Sequence, residues 1–492
     1  MHVGTALATL AAQDPHAPLL TAGDITLTRR ELNRAANRLA REYQELGVGH
    51  ESRVAIALPN GIEFFTVVHA VWKLGAVPVP VSPRLTRIEQ DQLIALIDPV
   101  LLVGEGGGES ESVRRIAPGY QASTHVSDED LPVPPAMDFW KMATSGGSTG
   151  LPKLIIPAQT SELTIGAVSS LRMVAGQRQL VVGPLYHASP FNWAMFGALS
   201  GQHLIVMERF DAALALQLIA KHQISWVCLV PTMMHRMART IEADPMAFDL
   251  SSLETVWHMA APCPEWLKRR WIELVGADVL MELYGTTEGL ALTSISGEEW
   301  LERPGSVGRP FQGEIKIVDD TGADAAADVT GTVFMRNITA PRTYRYVGAE
   351  PHVIEDGWQT MGDRGRLDPD GFLYLADRTT DMILVGGINV YPAETEGAIL
   401  EFPGVESCAV VGLPDDELGQ RLHAVVEAPA DFSTDDLEVF LRARLLRVKV
   451  PRSYRVVDEP LRNDAGKLRR AEIREREIRT LEIATNGGQR AH

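Results

Sequence analysis

Four short segments carry the residue types that nucleotide chemistry needs. In Ala143-Thr-Ser-Gly-Gly-Ser-Thr-Gly-Leu-Pro-Lys153, glycines alternate with hydroxyl side chains. Glycine lets the backbone approach a polyphosphate closely, and the amides and the Ser and Thr hydroxyls can then donate to it. Lys153 adds a point charge. The Gly-Lys-Ser/Thr ending of a Walker A loop is missing, and the same composition also suits a flexible linker. In Glu282-Leu-Tyr-Gly-Thr-Thr-Glu-Gly289, Tyr284 can stack on a base, Gly285 and Thr287 can meet phosphate, and Glu288 can hold Mg²⁺. A strand end and turn would have a similar composition. Asp363, in Gln359-Thr-Met-Gly-Asp363, suits bidentate capture of a ribose diol, with Arg378 close behind, although Gly-Asp is also a common turn. Asn463-Asp-Ala-Gly-Lys-Leu-Arg469 presents Lys467 on a glycine turn, where most lysines are simply solvated.

The elements around these segments alternate between strand and helix. Thr28 and Glu31 have the spacing of a capping box, and Leu32, Ala35, Leu39 and Tyr43 recur at helical spacing until Gly47. Strand-like Arg53–Leu58, a helix from Ile62 to Leu74 and strand-like Ala76–Val81 follow. The pattern returns in 180–182, 203–207, a helix over 211–222, and 225–230. Such alternation predicts layered α/β structure with parallel strands. From about Gly305, short strand-like runs (314–318, 331–336, 372–375) between Gly and Asp turns predict a β-rich subdomain. From about Thr380, strands at 407–412 and 423–428 and helices at 393–401 and 434–445 predict a small α+β domain, so we expect domains 1–379 and 380–492. Asn486–His492 reads as a frayed tail.

Composition excludes other classes. The chain has 492 residues, too many for one core, and a formal net charge of -18 that repels nucleic acid and anionic lipid. Cys228, Cys263 and Cys408 lie far apart and suggest neither a zinc site nor a disulfide framework. No basic n-region marks a signal peptide, and the apolar stretch 64–81 is broken by His69, Lys73, Gly75 and Pro78, which rules it out as a membrane span. A cytoplasmic protein of small-molecule chemistry is expected.

Taken in order, the four segments resemble the signature motifs of the adenylate-forming superfamily: acyl-CoA synthetases, peptide-synthetase adenylation domains and luciferases. Ala57-Leu-Pro-Asn60, Pro304-Gly-Ser-Val-Gly-Arg309 and Gly386-Gly-Ile-Asn-Val-Tyr-Pro392 also match, so the resemblance covers nearly the whole chain. It is greatest to bacterial acyl-CoA ligases. It implies a large N-terminal domain of α/β layers with a β-barrel, and a small mobile C-terminal domain. It also implies that Ser148, Thr149, Gly150 and Lys153 meet the β- and γ-phosphates, with Ala260, Ala261, Tyr284 and Gly285 around adenine. Thr287 would then meet the α-phosphate, Glu288 hold Mg²⁺, and Asp363 with Arg378 bind the ribose. Lys467 would bridge the acid and the α-phosphate, and after domain rotation Gly386 and Gly387 would line the approach of CoA. His187 matches a gating residue, and Trp193, Met233, His258, Met259 and Leu290 are pocket candidates, with core packing the alternative for Trp193 and Met233.

Three places in the chain depart from the family pattern. Ser145 and Gly146 stand where Thr-Ser is usual, Thr380 occupies the hinge, and His258-Met259 replace smaller residues before Ala260. The implied reaction is activation of a carboxylic acid by Mg·ATP, then transfer to CoA. A carrier protein or an amine as acceptor, or nitrite activation as in a diazotase, remain the alternatives; a catalytically dead ATP sensor is opposed by Thr287, Glu288, Asp363 and Lys467.

Overall fold

Thr28 closes a full capping box at the start of the helix Arg29–Glu45, its hydroxyl accepting from the Glu31 amide while Glu31 accepts from the Thr28 amide at 2.8 Å. The inner face of that helix packs on Ile62–Lys73, which is apolar nearly all round because it lies between layers. This computed structural model describes the chain except residues 106–112, 147–151, 164–169, 339–342, 349–354, 377–380, 387, 416, 464–465 and 489–492.

Two sheets form the large domain. In the nine-stranded sheet, Leu280–Gly285, Thr255–His258, Trp226–Leu229, Arg178–Val181, His203–Val206 and Pro18–Ala22 run parallel in that order, with antiparallel strands at both ends. The other is a four-stranded parallel sheet built on Arg53–Ala57. Asn60, just past that strand, joins the two. Its amide donates to the Gly183 and Met207 carbonyls at 2.9 and 3.1 Å and accepts from the Leu185 amide at 2.8 Å. Both Gly183 and Met207 follow strands of the larger sheet, so one side chain aligns the carboxyl edges of both sheets.

The β-rich subdomain has a shared core of Ala143, Ile155, Ile317, Val333, Met335 and Leu373, with sheets on either side. One sheet comes from 314–376, as expected. The other consists of Ala143–Gly146, Pro152–Pro157 and Tyr344–Val347, so two strands come from far earlier in the chain than residue 305. The phosphate-loop segment is thus flanked by two antiparallel strands in which Ser145 pairs with Lys153.

In the C-terminal region Ser407–Asp415, Gly419–Glu427 and Ser453–Val457 form one sheet, covered by the helices Pro392–Glu401, Thr434–Arg442 and Arg470–Gly488. The last helix corrects the tail expected from Asn486, since it continues to Gly488. Arg239 donates to the Leu400 and Glu401 carbonyls at 3.3 and 3.1 Å, and Trp266 to that of Gly397 at 3.3 Å, docking the small domain on two helices of the large one. The boundary expected at 379/380 lies outside the described residues. Among those described, no helix is long and apolar enough to cross a membrane.

Candidate active site

Parallel sheets present their functional loops at the carboxyl ends of the strands, and some of the sequence-derived residues lie there. After Leu280–Gly285 the chain turns through Thr286–Gly289, leaving Thr287 exposed and Glu288 only 7% exposed. A Cβ on Gly285 would lie 2.3 Å from Leu292 Cδ2 and 3.1 Å from the Ala291 carbonyl, so a larger residue there would need Leu292 to move. Tyr284 donates its hydroxyl to Asp363 at 2.7 Å, so the base-stacking and ribose-binding candidates touch, although 79 residues separate them. Beyond Thr255–His258, Ala260 is held at φ +73°, a left-handed conformation that is strained for alanine. The strain turns the Ala260-Ala261 backbone beside the strand that carries Tyr284.

Glu288 has partners that the motif did not reveal. The Tyr346 hydroxyl donates to its Oε1 at 2.6 Å, and Lys153 Nζ lies 4.0 Å from the same atom and 3.9 Å from the centre of the Tyr346 ring. Tyr346 arrives through the pairing of Tyr344–Val347 with Pro152–Pro157, which sets it opposite Ile155. Burial, and then the Glu288 carboxylate, push its phenol upward, so it stays a donor. Sequence spacing offered no signal for this contact. We expect Tyr346→Phe to lower kcat/KM for acid-dependent pyrophosphate release about tenfold, the value of one hydrogen bond to a charged group. The Mg²⁺ requirement should rise in parallel; a lower requirement would mean that the phenol competes with the metal.

Glu288 suits a Mg²⁺ ion that arrives with a nucleotide. Mg²⁺ commonly takes one or two protein carboxylates and completes its shell with phosphate and water. Only one oxygen of Glu288 is engaged by Tyr346, and no group of three or more His, Cys, Asp or Glu able to hold a metal occurs among the described residues.

The pocket candidates fall into separate places. Trp193 and Met259 come together, the indole N–H 3.2 Å from the Met259 sulfur, within a cluster that includes Trp257, Met281 and Leu283. His258 points the other way because strand side chains alternate. It is fully buried 3.9 Å from Glu282, which is ion-paired to Lys268, and burial lowers its pKa to about 4. Met233 packs in the core between sheet and helices, and Leu290 in the core of the β-rich subdomain.

His187 occupies the residue before the helix Ala188–Leu199 without a side-chain capping hydrogen bond, its ring 4.8 Å from that of Tyr186. Lys467 is exposed on a turn held by Asn463, whose amide donates to the Lys467 carbonyl at 3.0 Å while its side chain accepts from the Lys467 amide at 2.9 Å. A Cβ on Gly466 would lie 2.9 Å from Thr232 Oγ1 and 3.2 Å from Val230, so this turn packs where Trp226–Leu229 ends, at the catalytic edge. Gly386 is held at φ +56°, its amide donating to Leu418 at 2.9 Å. Ser148, Thr149, Gly150, Arg378, Thr380 and Gly387 lie outside the described residues.

Tyr284, Asp363 and Glu288 thus lie together, and the turn that carries Lys467 packs just past the end of Trp226–Leu229 in the same sheet. Residues 7–345 match the model for AMP-binding enzymes and 394–467 that for the AMP-binding enzyme C-terminal domain. The chain belongs to the AMP-binding enzyme family, whose members of this type are AMP-forming ligases. It is 31% identical over 487 residues to a feruloyl-CoA synthase of Amycolatopsis, covering 95% of this chain and 97% of that one. It is 30% identical to a fatty acid–[acyl-carrier-protein] ligase of Streptomyces coeruleorubidus, covering 95% and 94%. Among solved structures, the o-succinylbenzoate CoA synthetase of Bacillus subtilis bound to its acyl-adenylate superposes with a TM-score of 0.80 at 26% identity, covering 95% of this chain and 97% of that one.

Proposed function

We propose that this protein activates an organic carboxylic acid with ATP as an acyl-adenylate and passes the acyl group to the thiol of CoA. The observation that supports this reading is the Tyr284–Asp363 hydrogen bond, which joins the residues proposed to meet base and ribose, Tyr284 belonging to the same segment as Glu288. A carboxylate is a poor acyl donor because oxide would have to leave. Joined to AMP, it gains a good leaving group, and pyrophosphate departs.

In this scheme Asp363 holds the ribose and Tyr284 packs on adenine. Thr287 donates to the α-phosphate, and Ser148, Thr149, Gly150 and Lys153 hold the outer phosphates. Mg²⁺ would neutralise charge on the phosphates from Glu288. Lys467 binds the acid and the α-phosphate together, aligning attack and stabilising the charge that builds there. Domain rotation then withdraws Lys467 and brings Gly386 and Gly387 to the thiol path.

The apolar cluster around Trp193 and Met259 supports an acid with an apolar body. The similarity to a carrier-protein ligase supports a pantetheine arm as the second possible acceptor. Three unbonded cysteines suit the reducing cytoplasm, where we place the protein. The test is pyrophosphate release with Mg·ATP against aromatic, fatty and bile-type acids and nitrite, with and without CoA, products being followed by mass spectrometry. Release with one acid that yields its thioester is expected; release without a thioester would move the acceptor elsewhere.

A further inference from the structure

A cavity of about 420 Å³ lies far from the catalytic edge, at the opposite ends of the same strands. Pro18, Arg178 and His203 open three adjacent parallel strands, and all three line it, with Arg29, Lys221, His222 and the backbone of Gly176 and Gly201. Three permanent cations and two histidines thus converge in a chain whose net charge is -18, and no carboxylate lines the cavity. Among the described residues, no acidic group lies within ion-pair distance of Arg29, Arg178 or Lys221.

Helix chemistry accounts for part of this cluster only. Lys221 and His222 occupy the last turn of Ala212–His222, where positive charge is favourable. Arg29, Arg178 and His203 come from other elements and are tied in place by neutral groups. Arg29 donates to the Gly201 carbonyl at 3.1 Å, Arg178 to that of His222 at 2.9 Å, and His203 Nε2 lies 2.8 Å from Thr21 Oγ1. The Arg29 Nε is buried with no hydrogen-bond partner. Each guanidinium is therefore oriented through one N–H while keeping others to donate. Both histidine pKa values are lowered, by burial first and then by neighbouring positive groups.

We propose that this cavity is a second, non-catalytic anion site for a small phosphate-bearing molecule. Preoriented guanidinium groups match phosphate oxygens in geometry, and Lys221 at the rim supplies a point charge. The volume accommodates a phosphate or diphosphate with a small organic group, and the open rim admits it from solvent.

The probes are inorganic phosphate and pyrophosphate, titrated calorimetrically into the full chain, with chloride at matched ionic strength as control. Pyrophosphate can also occupy the catalytic edge, so the second site is read through Lys221→Gln and Arg178→Gln. Lys221→Gln changes an exposed side chain and keeps the fold assessable if Arg178→Gln does not fold. Each substitution should weaken phosphate binding about tenfold, as expected for one charge-assisted hydrogen bond, while acid-dependent pyrophosphate release stays unchanged. Phosphate binding that is equal in wild type and Lys221→Gln, or no greater than the chloride effect, would overturn the proposal. Loss of turnover in Lys221→Gln would count against it too, because the site would then be coupled to catalysis.

Discussion

Lys467→Ala slows acid-dependent pyrophosphate release about 10²-fold, or roughly 3 kcal/mol, the usual loss when one preorganised donor to a developing charge is removed. Thioester formation from a supplied acyl-adenylate should change little, because the proposed role of Lys467 is confined to the first half-reaction. The split follows from where the turn sits. Asn463 holds Lys467 through two hydrogen bonds, and Gly466 packs on Val230 and Thr232 at the carboxyl edge of the sheet. The backbone that carries the lysine is therefore held in place, which limits the region its side chain can reach. Rapid-quench measurement of both half-reactions decides the matter. Equal loss in both would show that Lys467 holds the domain interface together rather than the reacting groups.

Lys141→Met stabilises the protein, and the gain depends on pH. Lys141 is 4% exposed, two residues before the strand that leads into the phosphate loop. Its ammonium lies 5.5 Å from the ring centres of Trp140 and Phe191, and no hydrogen bond or ion pair reaches it among the described residues. By contrast, the buried Lys73 donates to Asn33 at 2.7 Å. Burial lowers the Lys141 pKa from 10.5 to about 7. Below pH 7 both folded and unfolded chains carry the charge, and the fold bears the whole desolvation cost, on the order of 3–5 kcal/mol. Between pH 7 and 10.5 the folded lysine is neutral while the unfolded one stays charged, so the penalty shrinks as pH rises and vanishes above that window. Methionine has a similar volume and no charge. Denaturant unfolding at pH 6 should therefore favour the variant by several kcal/mol, with the difference fading towards pH 10. A difference independent of pH would mean that packing, not charge, separates the two.

Local chemistry made much of this protein legible in its sequence. The capping box at Thr28, the apolar strand Arg53–Ala57 and the strands Glu314–Val318 and Gly331–Arg336 depend on neighbours a few residues away, and they form where their patterns place them. Motif order was enough for the family, since each of the four segments carries its own chemistry. Arg470–Gly488 escaped notice because it is charged on most faces and offers no apolar stripe.

Long-range geometry decided the rest. Sequence placed Tyr284 and Asp363 in separate motifs, and only the fold joins them at 2.7 Å. Tyr346 belongs to no motif, yet strand pairing delivers it to Glu288. Alternation along Thr255–His258 sends His258 into a buried polar cluster, while Met259 meets Trp193, so two adjacent pocket candidates part company. Residue types and spacing therefore determined which chemistry the chain carries, because reactivity belongs to the side chain itself. Which side chains share a site was decided by tertiary structure, since register and crossover topology bring together residues that no local pattern connects.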